Sequence, residues 1–151
     1  MRDKLANALK EALKSKDTVR TSTIRLAQAA IKDRDIANRG AGKDPVSDDV
    51  ILQIFAKMIK QREESAKVYE EAGRVDLSTQ EREEIAVIQS FLPQQMSEAE
   101  SQAAIAAVIA EIGAHGLKDM GRTMAALKER HTGVMDFGKA SGTVKNLLTA
   151  G

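Results

Sequence analysis

An all-α fold is predicted by three observations on the 151-residue sequence. Aromatic residues make up only 3% of the chain, so a core has to be built from Leu, Ile, Val, Ala and Met, a set that suits helix packing better than a β-sandwich. Apolar residues recur at three- and four-residue spacing over long stretches. Capping residues precede several of those stretches, and glycine or proline follows them. The predicted arrangement is a long-helix N-terminal domain over residues 1–93, followed by a small three-helix bundle over residues 97–151.

Leu5, Leu9, Ala12 and Leu13 mark a first helix. Asp17 is placed as the N-cap of a second, along which Val19, Ile24, Leu26, Ala30 and Ile31 recur. Residues 37–49 hold Gly40, Gly42 and Pro45 and read as a loop. Ser47 then caps a long helix with Ile51, Ile54, Phe55, Met58, Ile59, Ala66 and Tyr69 on one face, and Gly73 stands just past its end. Ser78 and Glu81 have capping-box spacing, so the next helix is expected to open there, with Glu81, Glu83 and Glu84 near its positive end. A metal site at these glutamates is disfavoured, because no histidine is nearby. The helix should run through Ile85, Ile88, Phe91 and Leu92 and stop at Pro93.

A second capping box, Ser97 to Glu100, opens the helix bearing Ile105, Val108, Ile109 and Ile112. Seven of the ten glycines lie at or beyond position 113, so the helices after it are expected to be short. Met120, Met124 and Leu127 predict one of them, and Val144, Leu147 and Leu148 the last, with Ser141 as its N-cap. Roughly fifty-five residues are near the lower limit for an independent core, so this unit is expected to lean on the first domain or on a partner.

With no cysteine, disulfides and thiol chemistry are excluded, which suits a reducing compartment. The opening residues MRDKLANALKEALKSKD are charged throughout, with no apolar run long enough for a signal peptide or a membrane span; a cytoplasmic protein without a membrane partner is expected. The net charge is +1, which argues against a general polyanion binder. Its distribution is uneven: residues 1–43 carry 11 Lys/Arg against 5 Asp/Glu, residues 44–96 carry 6 against 11, and residues 97–151 are balanced at 6 each.

Two stretches resemble nucleotide loops on paper. FGKASG (137–142) and RGAGKD (39–44) both lack the Ser or Thr that must follow the lysine in a Walker A loop, and nothing before Gly138 reads as a strand. What remains at the first is weaker chemistry: Gly138 and Lys139 on a short loop, free amides at a helix start, and a positive dipole end. These suit one phosphate of a polymer backbone, where affinity is summed over several contacts. Lys118, Arg122, Lys128, Arg130 and Lys145 are candidates for the rest, and the basic first hairpin with Lys10, Lys14, Arg20 and Arg25 is a candidate extension. Gly121, one turn before Met124, reads either as a tight helix–helix contact or as a place where another backbone or a ribose comes close. His115 and His131 are expected in glycine-flanked loops, without metal-ligand spacing. Lys60 with Glu64 and Glu63 with Lys67 read as ordinary i,i+4 pairs on an exposed face. No catalytic residue, cofactor or metal is assigned.

KQREES (60–65), AGRVDLSTQEREE (72–84), FLPQQMSEAE (91–100), KDMGRTM (118–124) and FGKASG (137–142), taken in order, resemble the YqeY family over nearly the whole chain. From about residue 97 the chain is also similar to the tail domain of GatB, the B subunit of the tRNA-dependent amidotransferase. That resemblance implies two helical domains, the second a small bundle associated in the amidotransferase with holding the tRNA body. It also implies a family label of carbon–nitrogen ligase with glutamine as amido donor, although the enzyme's ATP cradle and amidase subunit have no counterpart in this chain. In the tail domain the position of Ser141 is typically Asn or Asp, often followed by Pro, where this chain has Gly142. The expected function is a non-catalytic accessory protein of translation whose C-terminal module docks on tRNA or another structured RNA. A protein-binding adaptor to a synthetase or amidotransferase is the alternative. Few aromatics argue against stacking on splayed bases, so RNA would be read by shape and backbone.

Overall fold

The computed structural model describes residues 1–150. Their elements are α1 (Arg2–Ser15), α2 (Thr18–Gly40), α3 (Asp48–Glu71), α4 (Val75–Gln89), α5 (Glu98–Ile112), a 3-10 turn (Leu117–Asp119), α6 (Met120–His131) and α7 (Phe137–Ala150). The fold is all-α, as predicted. The chain forms two compact units, Met1–Leu92 and a second that begins at Pro93.

In the first unit α1 packs on α2, and α2 on both α3 and α4, which pack closely on each other. The buried stripe of α1 is Leu5, Ala8 and Ala12, and that of α2 includes Ile24, Ala27 and Ile31; both spacings follow the helical period. Ile51, Phe55, Met58 and Ile59 of α3 meet Ile85 and Ile88 of α4, and Phe91 closes the cluster. Asp17 and Ser47 cap as expected, accepting from the Arg20 and Val50 amides. Gly73 follows α3 with φ 73°, a left-handed conformation that glycine adopts without strain.

The expected helix start at Ser78 is wrong. α4 opens at Val75, three residues earlier, and Ser78 is buried inside it, its hydroxyl donating to the Val75 carbonyl at 3.1 Å. Serine competes for backbone bonds wherever it stands, so capping-box spacing alone does not place a helix end. Glu81, Glu83 and Glu84 therefore sit in mid-helix. Glu84 accepts from Arg62 Nε at 3.0 Å, and both side chains are largely covered, 14% and 16% exposed. The pairs Lys60–Glu64 and Glu63–Lys67 are on an exposed face but are not closed as ion pairs among the described residues.

In the second unit α5, α6 and α7 pack pairwise around Ile105, Val108, Leu127, Ala140, Val144 and Leu148. The capping box is present: Ser97 Oγ accepts from the Glu100 amide at 3.1 Å, and Glu100 accepts from the Ser97 amide at 3.0 Å. Between α6 and α7 the chain turns at Gly133, φ 80° and buried. Its carbonyl accepts from Gln95 Nε2 at 2.7 Å, and the Val134 carbonyl accepts from the Met96 amide at 2.9 Å. These two bonds stitch the segment before α5 to the α6–α7 turn.

Candidate functional site

The start of α7 differs from expectation in a way that changes its chemistry. The helix opens at Phe137, so Gly138 and Lys139 belong to its first turn and Ser141 is half-buried within the helix rather than its cap. Asp136 takes the capping role: one of its carboxylate oxygens accepts from the Gly138 amide at 2.9 Å and from the Lys139 amide at 3.2 Å, and its carbonyl accepts from the Ala140 amide. The amides expected to be open to a phosphate are held by the protein's own acid. Asp beats Ser here because it stands at the position where the backbone is still non-helical. Lys139 projects into a groove of about 300 Å³ between the first halves of α5 and α7, shared with Glu98, Ser101, Gln102, Asp136 and Thr143.

The two arginines among the predicted cations are engaged. Arg122 donates to the Ile112 carbonyl at 3.0 Å and to Asp119 at 3.1 Å. It thereby satisfies an orphan carbonyl at the C-terminal end of α5 and clamps that end to α6. Arg130 forms a two-pronged bridge to Glu111, at 2.6 and 3.0 Å. Asp119 also accepts from the His115 amide at 2.9 Å; that bond first, then Arg122, holds its carboxyl below the usual carboxylate range. Arg130 does the same to Glu111. Lys118 in the 3-10 turn, Lys128 on α6 and Lys139 and Lys145 on α7 are exposed and belong to no ion pair among the described residues.

Gly121 is not a tight helix–helix contact: a Cβ there would meet nothing within 4 Å. Met124 is half-buried and packs against the second core. His115 is exposed in the turn after α5, as expected, whereas His131 is the last residue of α6 and half-buried, not a loop residue. The sequence reading missed Gln95, Gly133 and Asp136. For Asp136 a signal was available, because an Asx residue immediately before FGK is as good a cap as Ser141.

In the first hairpin Arg20 is not an open cation. It lies 5.2 Å from the centre of the Phe91 ring, with Lys4 at 5.9 Å from the same ring, and it donates to Ser90 Oγ. Arg2 grips Asp35 through both nitrogens at 2.8 and 3.0 Å and reaches the Val46 carbonyl, while Asp35 accepts from the Val46 amide.

Fold and surface together define an all-α protein of two units with cations on its helix ends and outer faces. The chain belongs to the YqeY-like family: the family model described as Yqey-like protein matches residues 2–148. Among curated relatives it is 32% identical over 115 residues to altered inheritance of mitochondria protein 41, mitochondrial, of Lachancea thermotolerans, covering 73% of this chain and 60% of that protein. The protein of that name from Vanderwaltozyma polyspora is 35% identical over 89 residues, 58% of this chain and 46% of the relative. The one from Saccharomyces cerevisiae strain YJM789 is 31% identical over 90 residues, 60% of this chain and 47% of the relative. The chain thus spans about half to three fifths of the length of these relatives.

Proposed function

We propose that this YqeY-like chain is a non-catalytic accessory protein of translation, acting in the cytoplasm, whose C-terminal unit docks on tRNA or another structured RNA through the phosphate backbone. The observation that carries this reading is the state of the cations in that unit. Arg122 and Arg130 are spent on Asp119 and Glu111, which leaves Lys118, Lys128, Lys139 and Lys145 exposed and without a partner acid among the described residues. The similarity of this unit to the GatB tail supports RNA over other polyanions.

The test is a titration of the whole chain against total tRNA at two salt concentrations, beside a variant with Lys118→Ala, Lys139→Ala and Lys145→Ala. Arg122 is left intact because it clamps α5. About four phosphate contacts in this unit should contribute about −3.6 to the log–log salt slope, and the variant should lose about three quarters of that contribution. Salt-independent binding, or none at low salt, overturns the reading.

One observation favours the adaptor instead: an apolar groove along the second halves of α5 and α7, lined by Ala106, Ile109, Ala110, Gly113 and Leu147, with Leu147 42% exposed. Association through it would be insensitive to salt and abolished by Leu147→Asp. Release of ammonia from glutamine by the pure chain would revive the ligase label.

A further inference from the structure

The strongest concentration of uncompensated charge in the molecule is not in the C-terminal unit. Residues 1–43, which contain the α1/α2 hairpin, hold 11 Lys/Arg against 5 Asp/Glu, whereas residues 44–96 hold 6 against 11. The ion pairs of the first unit draw little from this surplus: among the described residues of α1 and α2, Arg2 alone of the side-chain cations is paired, with Asp35.

Helical geometry decides where the remaining cations stand. In α2 the buried stripe runs through Ile24, Ala27 and Ile31, and Arg25, Lys32 and Arg39 recur every seventh residue on an exposed stripe about a quarter turn round the helix from it. Seven residues rise about 10.5 Å, so the three charges are strung over about 21 Å. In α1 the buried stripe is Leu5, Ala8 and Ala12, and Lys10 and Lys14 lie on the opposite side, both exposed. None of these five side chains makes a hydrogen bond or an ion pair among the described residues.

We infer that the outer face of the α1/α2 hairpin, through Lys10, Lys14, Arg25, Lys32 and Arg39, is a docking surface for the phosphate backbone of double-helical RNA. This rests on the reading of the chain as an RNA-docking protein, but not on the lysines of the C-terminal unit. On α2 the neighbouring Asp35 is already held by Arg2, whereas on α1 the exposed Asp3 and Glu11 share the side of Lys10 and Lys14, so the α2 stripe is the part that best complements a regularly spaced polyanion. Two helices side by side are about 20 Å across. That is too broad to enter a groove, so the hairpin would lie across the backbone strands and read charge and shape, as proteins do on double-helical RNA. No aromatic ring is offered for base stacking, since Phe91 is buried beneath Lys4 and Arg20. The acidic segment 44–96 opposes the hairpin in charge and orients the unit as it approaches.

The experiment measures binding of the full chain to a duplex RNA of about twenty base pairs at 50 and 200 mM salt. It uses the wild type, a hairpin variant (Arg25→Gln, Lys32→Gln, Arg39→Gln) and the C-terminal variant (Lys118→Ala, Lys139→Ala, Lys145→Ala). The three hairpin cations removed contribute about −2.7 to the log–log salt slope, so between the two salts the hairpin variant should lose about 40-fold less affinity than the wild type. Unchanged helicity and thermal midpoint confirm that the exposed substitutions leave the fold intact. Loss in the hairpin variant with binding retained in the C-terminal variant supports the inference. Equal binding by hairpin variant and wild type, with loss in the C-terminal variant alone, overturns it while the proposed function stands. No binding of tRNA or duplex RNA by the wild type overturns both. Tighter binding to a B-form DNA duplex of the same length, or to vesicles containing phosphatidylserine, overturns RNA as the occupant.

Discussion

Asp119 shows how one side chain can decide what its neighbours are free to do. It accepts from the His115 amide and from Arg122, closing the turn that leads out of α5. Its folded pKa lies below the ordinary value, so protonation favours the unfolded chain. The stabilisation is present above the unfolded pKa of about 3.9 and is lost as pH falls through the lower folded value. Glu111, beside Arg130, and Glu100, in the capping box, behave in the same sense. The second unit should therefore weaken as pH drops from about 5 toward 3. An Asp119→Asn variant should begin less stable at pH 7 and lose less over that window, in denaturant melts at each pH. A variant that tracks the wild-type curve in parallel would refute this role. In the first unit, Arg62 and Glu84 are held apart from most solvent. Glu84→Gln should cost about 1–3 kcal/mol by leaving Arg62 covered and unpaired, between the values for exposed and buried pairs, and Arg62→Met with Glu84→Leu should recover most of it.

Among the elements, the helix starts divide into those legible from sequence and those not. Ser97 was legible because Glu100 follows at the right distance and an apolar run begins just beyond. Ser97→Ala should lower stability by about 0.5–2 kcal/mol, measured by urea denaturation. Ser78 carried the same local signal, and Ser141 offered a serine with Val144 in place of the acid; both were misread, because each lies inside a helix that had already started. At α7 the capping residue is Asp136. Asp136→Ala should remove the cap at a similar cost, and Ser141→Ala should change stability by far less; the reverse order would restore Ser141 as the cap. The α-helices after Gly113 run to 12 and 14 residues, the last as long as α1, so glycine frequency overstated their shortness; nor was the turn at Gly133 foreseen, whose bonds with Gln95 and Met96 come from residues nearly forty positions away.

At the scale of the whole molecule there are two cores, one built from residues up to Leu92 and one from Met96 onward. Leu127 is fully buried in the second, and Leu127→Ala should cost about 2–5 kcal/mol, visible as lost hydrogen-exchange protection in α5 to α7. The family was legible from five segments read in order, and the family model matches almost the whole chain. The candidate site was less so. Six cations were named from sequence in the C-terminal unit, and two of them, Arg122 and Arg130, turned out to be structural clamps. Sequence shows which residues carry charge, but not which charges already have a partner.

Composition and periodicity alone were enough to determine that this chain is helical and where its apolar stripes run, because a helix's period is a local property of the backbone. They also determined the charge asymmetry between residues 1–43 and 44–96, which is a count. Only the tertiary structure decided that Asp136 closes the start of α7, that Arg20 lies over the buried Phe91 ring, and that Lys10, Lys14, Arg25, Lys32 and Arg39 stand outside every ion pair. The physical reason is that a side chain's availability depends on what folding brings within about 4 Å of it, which chain spacing does not encode.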